Sequence, residues 1–182
     1  MKLKNYNDAF FKYLNSGSFK SAELIIPLIV DQLSIQSVLD VGCGQGAWLS
    51  IWQKYGVKNI FGIDGNYVNN LLIDEQYFLP HNLDNAFDLE SKFDLVQCLE
   101  VVEHLPKDKS RIIIESLIRH GDVVLFSAAT KGQGGDNHIN EQSYEYWRSI
   151  FSEYDYVPID FIRPIISNIK GIEPWYSFNI IL

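Results

Sequence analysis

Glu100, Glu103 and His104 fall in one short run of chain, and a further imidazole, His138, sits in a polar, glycine-rich stretch downstream. Two carboxylates and two imidazoles brought to one place could hold a divalent cation, with oxygen ligands favouring Mg²⁺ or Mn²⁺ and imidazole drawing in transition metals. Without a metal, His104 or His138, with Glu100 alongside, could take a proton from a hydroxyl or amine, as an imidazole near neutral pKa does. The plainer alternative is that the Glu-x-x-Glu-His-Leu string caps the helix after it and packs.

A second set of residues reads as a binding loop. Residues 38–46, Val-Leu-Asp-Val-Gly-Cys-Gly-Gln-Gly, run an apolar strand into a glycine cluster just where an amphipathic segment begins. Gly42, Gly44 and Gly46 remove the side chains that would hold a ligand away from the backbone, and a helix over Ala47–Tyr55 would point unpaired N–H groups at it. The spacing is Gly-x-Gly-x-Gly directly after the acidic Asp40, not the Gly-x-Gly-x-x-Gly that seats a pyrophosphate. An acid in that place suits a ligand with a positive end. The next apolar run, Asn59–Asp64, also ends on a carboxylate, which can accept hydrogens from both hydroxyls of a ribose. Asp64-Gly65-Asn66 would equally well start a helix.

Residues 38–46 resemble motif I of the class I, Rossmann-like S-adenosylmethionine-dependent methyltransferases. Residues 93–105, Phe-Asp-Leu-Val-Gln-Cys-Leu-Glu-Val-Val-Glu-His-Leu, resemble motif IV of the same family. The resemblance implies cofactor contacts from Asp40, Gly42, Cys43, Gly44 and Gly46, from Asp64 and Gly65, and from Leu99 beside the methionine portion. It places Asn82 and Leu83, within His81-Asn82-Leu83-Asp84, near the adenine, with an amide where the family usually has a carboxylate. Glu100, Glu103, His104 and His138 are similar to the metal-binding set of small-RNA 2′-O-methyltransferases and of ubiquinone-pathway O-methyltransferases. The implied activity is methyl transfer from S-adenosylmethionine, leaving S-adenosylhomocysteine, to a hydroxyl or amine of a small glycan- or natural-product-related metabolite. A catalytically silent cofactor-binding or partner subunit is the alternative. A nicotinamide-dependent oxidoreductase would need the other glycine spacing and a Tyr-x-x-x-Lys pair, which the chain does not contain.

The elements that must position these residues alternate between strand and helix patterns, the signature of an α/β sandwich with a parallel sheet. Two helical pieces are expected over 8–34, broken at Asn15–Ser18, with strands at 38–41, 59–64, 77–79, 93–99 and 122–129. Helices are expected through Leu72, over 107–120 and over 141–154, with a glycine-rich loop at 130–140. Extended segments over 156–163 and 176–182 complete the pattern. The family likeness implies a three-layer Rossmann-like sandwich with a seven-stranded sheet in the order 3-2-1-4-5-7-6 and an antiparallel last strand. Residues 1–182 are expected to form one domain, with helices in 1–36 as a lid and 37–182 as the catalytic core.

At 182 residues and 47% hydrophobic content the chain can bury one full core. Its net charge of −8, with no Lys/Arg cluster, argues against a nucleic-acid surface. The two cysteines, Cys43 and Cys98, sit at strand ends and point to a reducing cytoplasm rather than a disulfide scaffold. No membrane span is read, because Pro27, Asp31 and Gln32 interrupt the apolar run from Leu24 to Leu33. Phe10, Phe11, Tyr13, Phe19, Tyr144, Tyr146 and Trp147 could line an acceptor pocket, although helical spacing also fits core packing.

Overall fold

The computed structural model describes residues 8–182, with side chains from Gly17 onward. Phe10, Phe11 and Tyr13, and the first part of the expected lid, lie outside the described side chains.

Five parallel strands form the sheet: β1 (Ser37–Val41), β2 (Asn59–Asp64), β3 (Phe78–Pro80), β4 (Leu95–Leu99) and β5 (Val124–Ser127), in the order β3-β2-β1-β4-β5. Alternation along the two central strands sorts side chains to opposite faces. Val38, Leu95 and Leu99 join a core under α1 (Asp8–Val30) and α2 (Ala47–Lys54), which includes Trp48, Leu49 and Trp52. Leu39, Val41, Val96 and Cys98 join a second core under α3 (Ser110–His120) and α4 (Tyr144–Ser152). Two short helices, α5 (Ile162–Ile166) and α6 (Pro174–Asn179), close the α1 side through Ile162, Ile166 and Tyr176.

Three expectations are corrected. The break at Asn15–Ser18 does not occur, and α1 runs unbroken because tertiary packing overrides the turn-forming residues. Ala22, Ile25, Ile26 and Ile29, on one helical stripe, are fully buried, while the Ser21 hydroxyl donates to the Gly17 carbonyl at 2.8 Å. The segment before Leu72 is a turn rather than a helix, since the Leu72 N–H donates to the Gln45 carbonyl (2.8 Å) and Gln45 Nε2 to the Asn69 carbonyl (2.7 Å). These bonds tie it to the glycine bend.

The last two expected strands do not join the five-stranded sheet. Pro174 opens α6, so residues 176–179 are helical, a proline at the first turn being pre-set for helix. What remains of the expected hairpin is a pair of antiparallel contacts. Ile181 and Phe126 exchange N–H···O bonds of 2.8 Å each, and Ile159 and Leu182 exchange bonds of 2.7 and 3.3 Å.

Candidate functional site

The carboxyl ends of β1, β2 and β4 meet at the glycine bend. Gly42 has φ +81°, and a Cβ there would come within 2.3 Å of Val101 Cγ2, so both the backbone conformation and the close approach demand glycine. The Gly42 N–H donates to the Ile63 carbonyl at 2.7 Å, which fastens the bend onto β2. From there α2 begins at Ala47 directly after Gly46, whose φ is +87°.

Asp64 braces the bend from the end of β2. Its Oδ2 accepts the Gly44 N–H at 2.7 Å; its Oδ1 accepts the Gly65 N–H at 2.6 Å and the Tyr67 hydroxyl at 2.5 Å. Asp40, 3% exposed at the end of β1, is surrounded by apolar core, and that desolvation pushes its carboxyl up to about 8. The Gln97 amide opposes this rise, and Asp64 adds to it.

A cleft of about 430 Å³ opens beside the bend, lined by Asp40, Gly42, Cys43, Gly44, Leu99 and Gln97 on one side. Glu100, Glu103, His104 and His138 line it too, so sequence-distant residues of the two sets share one space. Gly46, Asp64, Gly65, Asn82 and Leu83 are not in its lining. Asn82 turns the chain after β3, accepting the Asp84 N–H at 3.1 Å, and Leu83 is packed into the α3 core.

Among the described residues, one ligand atom from each of Glu103, His104 and His138 can be chosen so that all lie within 4.8 Å of one another, and the two imidazoles stand edge to face at 4.9 Å. Glu103 is fully buried and its Oε2 has no hydrogen-bond donor. Burial, then the neighbouring Glu100 carboxylate, pushes Glu103 up to about 8. Glu100 stands outside that group of three. Its residue has φ +56°, its N–H donates to Ser127, and its carboxylate accepts from Asn179 Nδ2 at 3.1 and 3.4 Å. His138 is fixed differently, with Nδ1 2.9 Å from Glu141 Oε1, while Glu141 also gathers the Gly132 and Gly134 N–H groups. Glu141 is held below the usual carboxylate range, first by His138.

A family model described as a methyltransferase domain matches residues 6–161. The chain belongs to the class I, Rossmann-like S-adenosylmethionine-dependent methyltransferases. Ubiquinone biosynthesis O-methyltransferases of Neisseria meningitidis and Coxiella burnetii are each 30% identical, over 68% and 71% of this chain. The chain spans 59% and 62% of their lengths. The fold is shared with magnesium protoporphyrin IX methyltransferase from Synechocystis PCC 6803, solved with bound S-adenosylhomocysteine (TM-score 0.61, 19% identity, 86% of this chain and 81% of that one). It is also shared with the methyltransferase domain of bacterial CtHen1 (TM-score 0.60, 19% identity, 77% and 87%).

Several residues of this methyltransferase cleft escaped the reading of the sequence. Trp48, Trp175 and Tyr176 form an aromatic wall with Ser18 beside it, and the Tyr176 hydroxyl meets Trp48 Nε1 at 3.3 Å and Ser18 Oγ at 3.2 Å. Gln97 carried a signal, a polar residue inside the otherwise apolar strand Leu-Val-Gln-Cys-Leu. Gln133, which also lines the cleft, carried none, nor did Asn179, which lies outside the lining and holds Glu100. Of the aromatics proposed for an acceptor pocket, Trp147 is in the α3 core, Phe19 packs against the α1 core, and Tyr144 is half-exposed over Arg163.

Proposed function

We propose that this chain binds S-adenosylmethionine in the cleft and moves its methyl group to a hydroxyl, or else an amine, of a small glycan- or natural-product-related metabolite. The observation that carries the reading is the convergence of Asp40 and the glycine bend with Glu100, Glu103, His104 and His138 on one space of about 430 Å³. The bound S-adenosylhomocysteine of the Synechocystis enzyme supports the cofactor, and the O-methyltransferase relatives support a hydroxyl acceptor. No Lys or Arg is among the described residues lining the cleft, so an acceptor without phosphate or carboxylate fits best. A net charge of −8 supports a small molecule rather than a nucleic acid as partner.

The chemistry is an in-line displacement. As the acceptor oxygen bonds to the methyl carbon, the carbon–sulfur bond breaks and its electron pair stays on sulfur. The protein holds the partners in line and keeps water out. The acceptor proton passes to His138: its Nδ1–H donates to the Glu141 carboxylate, which leaves Nε2 as the basic nitrogen. Asp40 faces the cofactor's ammonium, and Asp64 shapes the bend that receives its ribose.

A divalent cation is a second reading, favoured by the ligand atoms of Glu103, His104 and His138 within 4.8 Å and by the orphaned Glu103 Oε2. Those three residues would hold it, with Glu100 adjacent. Bound there, a cation would polarise an acceptor hydroxyl and lower its pKa.

Both cysteines are free and buried, which supports a reducing compartment such as the cytoplasm. No described helix is long and apolar enough to cross a membrane.

Incubating the protein with cell extract and S-adenosylmethionine labelled in its methyl group tests the activity without a prior guess at the acceptor. A labelled small-molecule product is expected. Saturable cofactor binding with no product across many extracts would point to a silent subunit, and uptake of a nicotinamide dinucleotide in place of the sulfonium compound would overturn the reading.

A further inference from the structure

Gln97 occupies a place where the fold wants an apolar side chain. It lies on the face of β4 that Leu95 and Leu99 send into the core under α1 and α2, and it is fully buried. An amide in such a place is costly unless its hydrogen-bonding capacity is used. One end is used. Trp52, also fully buried on α2, donates its Nε1–H to Gln97 Oε1 at 2.8 Å.

That bond settles which way the amide faces. An indole N–H can only donate, so the amide oxygen must turn to Trp52 and the NH₂ group must turn the other way. On that side stands Asp40, the residue paired with Gln97 in the parallel register of β1 and β4. Gln97 and Asp40 both line the cleft, and Gln97 Nε2 makes no well-formed hydrogen bond among the described residues, although the Asp40 carboxylate is close enough to feel the amide. A buried donor, locked in orientation and aimed at the carboxylate that borders the cleft, is left waiting for a partner.

We propose that Gln97, oriented by Trp52, is a positioning residue that holds the Asp40 carboxylate for the ammonium group of S-adenosylmethionine. The inference rests on the cofactor reading above and adds to it a residue outside the glycine bend. Burial and the nearby Asp64 both favour protonated Asp40, whereas the Gln97 amide favours the ionised form. When an ammonium enters, Asp40 ionises and takes the waiting N–H. The same donor fixes which carboxylate oxygen is left to meet the ligand. Trp52 touches no ligand in this arrangement; it acts by preventing the amide from turning over.

Calorimetric titration of the whole chain separates this role from simple packing, using three probes: S-adenosylmethionine, S-adenosylhomocysteine and 5′-methylthioadenosine. The last shares the nucleoside but has no amino-acid end. Q97M, which keeps the volume and removes the donor, should weaken both amino-acid-bearing probes by about tenfold, the worth of one charge-assisted hydrogen bond, and leave 5′-methylthioadenosine unchanged. W52F frees the amide to rotate and should shift the same two probes in the same direction by about threefold. If Q97M does not fold, W52F carries the test alone. Equal weakening of all three probes would reveal a packing role and overturn the proposal, as would unchanged affinities. Failure of the unaltered chain to bind any of the probes would instead overturn the cofactor reading beneath it.

Discussion

Asn179 on α6 donates its side-chain amide to the Glu100 carboxylate at the end of β4, 3.1 Å away across 79 residues of sequence. The same Nδ2 also reaches Gln133 Oε1 at 3.0 Å, in the glycine-rich loop that carries His138. One buried amide therefore joins the cleft's carboxylate, its loop and the helix that supplies Trp175 and Tyr176.

Removing that amide should loosen all three. Asn179→Leu takes one of its donors from the largely buried Glu100 carboxylate, leaving Ser127, and is expected to cost about 1 kcal/mol of stability, read by urea denaturation. It should also speed tryptic cleavage after Lys131, because Gln133 no longer ties the loop down. Cleavage at the unaltered rate would mean that Glu141 alone, through the Gly132 and Gly134 N–H groups, holds the loop.

Asp64→Ala removes the acceptor of the Gly44 and Gly65 N–H groups as well as the carboxylate that would meet the ribose. S-adenosylmethionine affinity is expected to fall by about 30-fold or more, equivalent to about 2 kcal/mol. Because the ribose is common to both, 5′-methylthioadenosine should weaken in parallel, in contrast with the effect expected at Gln97.

Stability of the ligand-free protein should decline as the solution is made more alkaline. Glu103 titrates near 4.5 in the unfolded chain and is pushed up to about 8 in the fold, and Asp40 is likewise raised from 3.8 to about 8. Between those values the folded state retains protons that the unfolded state has lost, so stability falls with rising pH across this window and levels off above it. Melting temperature followed from pH 5 to pH 9 checks the sign. Glu103→Gln, which cannot ionise, should flatten part of the decline.

His138→Ala should lower methyl transfer by about 10²–10⁴-fold if the imidazole takes the acceptor's proton, with S-adenosylmethionine affinity little changed. Titrating the unaltered chain with Mg²⁺, Mn²⁺ and Zn²⁺ separates the two roles considered for this residue. Saturable binding abolished by both Glu103→Gln and His138→Ala supports the cation, whereas heats of dilution alone leave His138 as the base.

Features that depend on short stretches of chain could be read from the order of the residues alone. The glycine bend, the acids closing β1 and β2, the α/β class and the family were legible because an apolar strand, a glycine run and a helix start are contiguous signals. How remote side chains meet was settled by the folded arrangement of the elements. Residues 176–179 read as a strand yet form α6, so neither Asn179's hold on Glu100 nor the Trp175–Tyr176 wall was visible beforehand. Likewise α1 continues through Gly17 because packing of Ala22, Ile25, Ile26 and Ile29 outweighs local turn preference. Gln97 stood in plain view as a polar residue in a buried strand, but its meaning came from Trp52 on one side and Asp40 on the other. Local preference follows from neighbours in the chain, whereas a hydrogen bond between distant residues exists only after the core has fixed which faces touch.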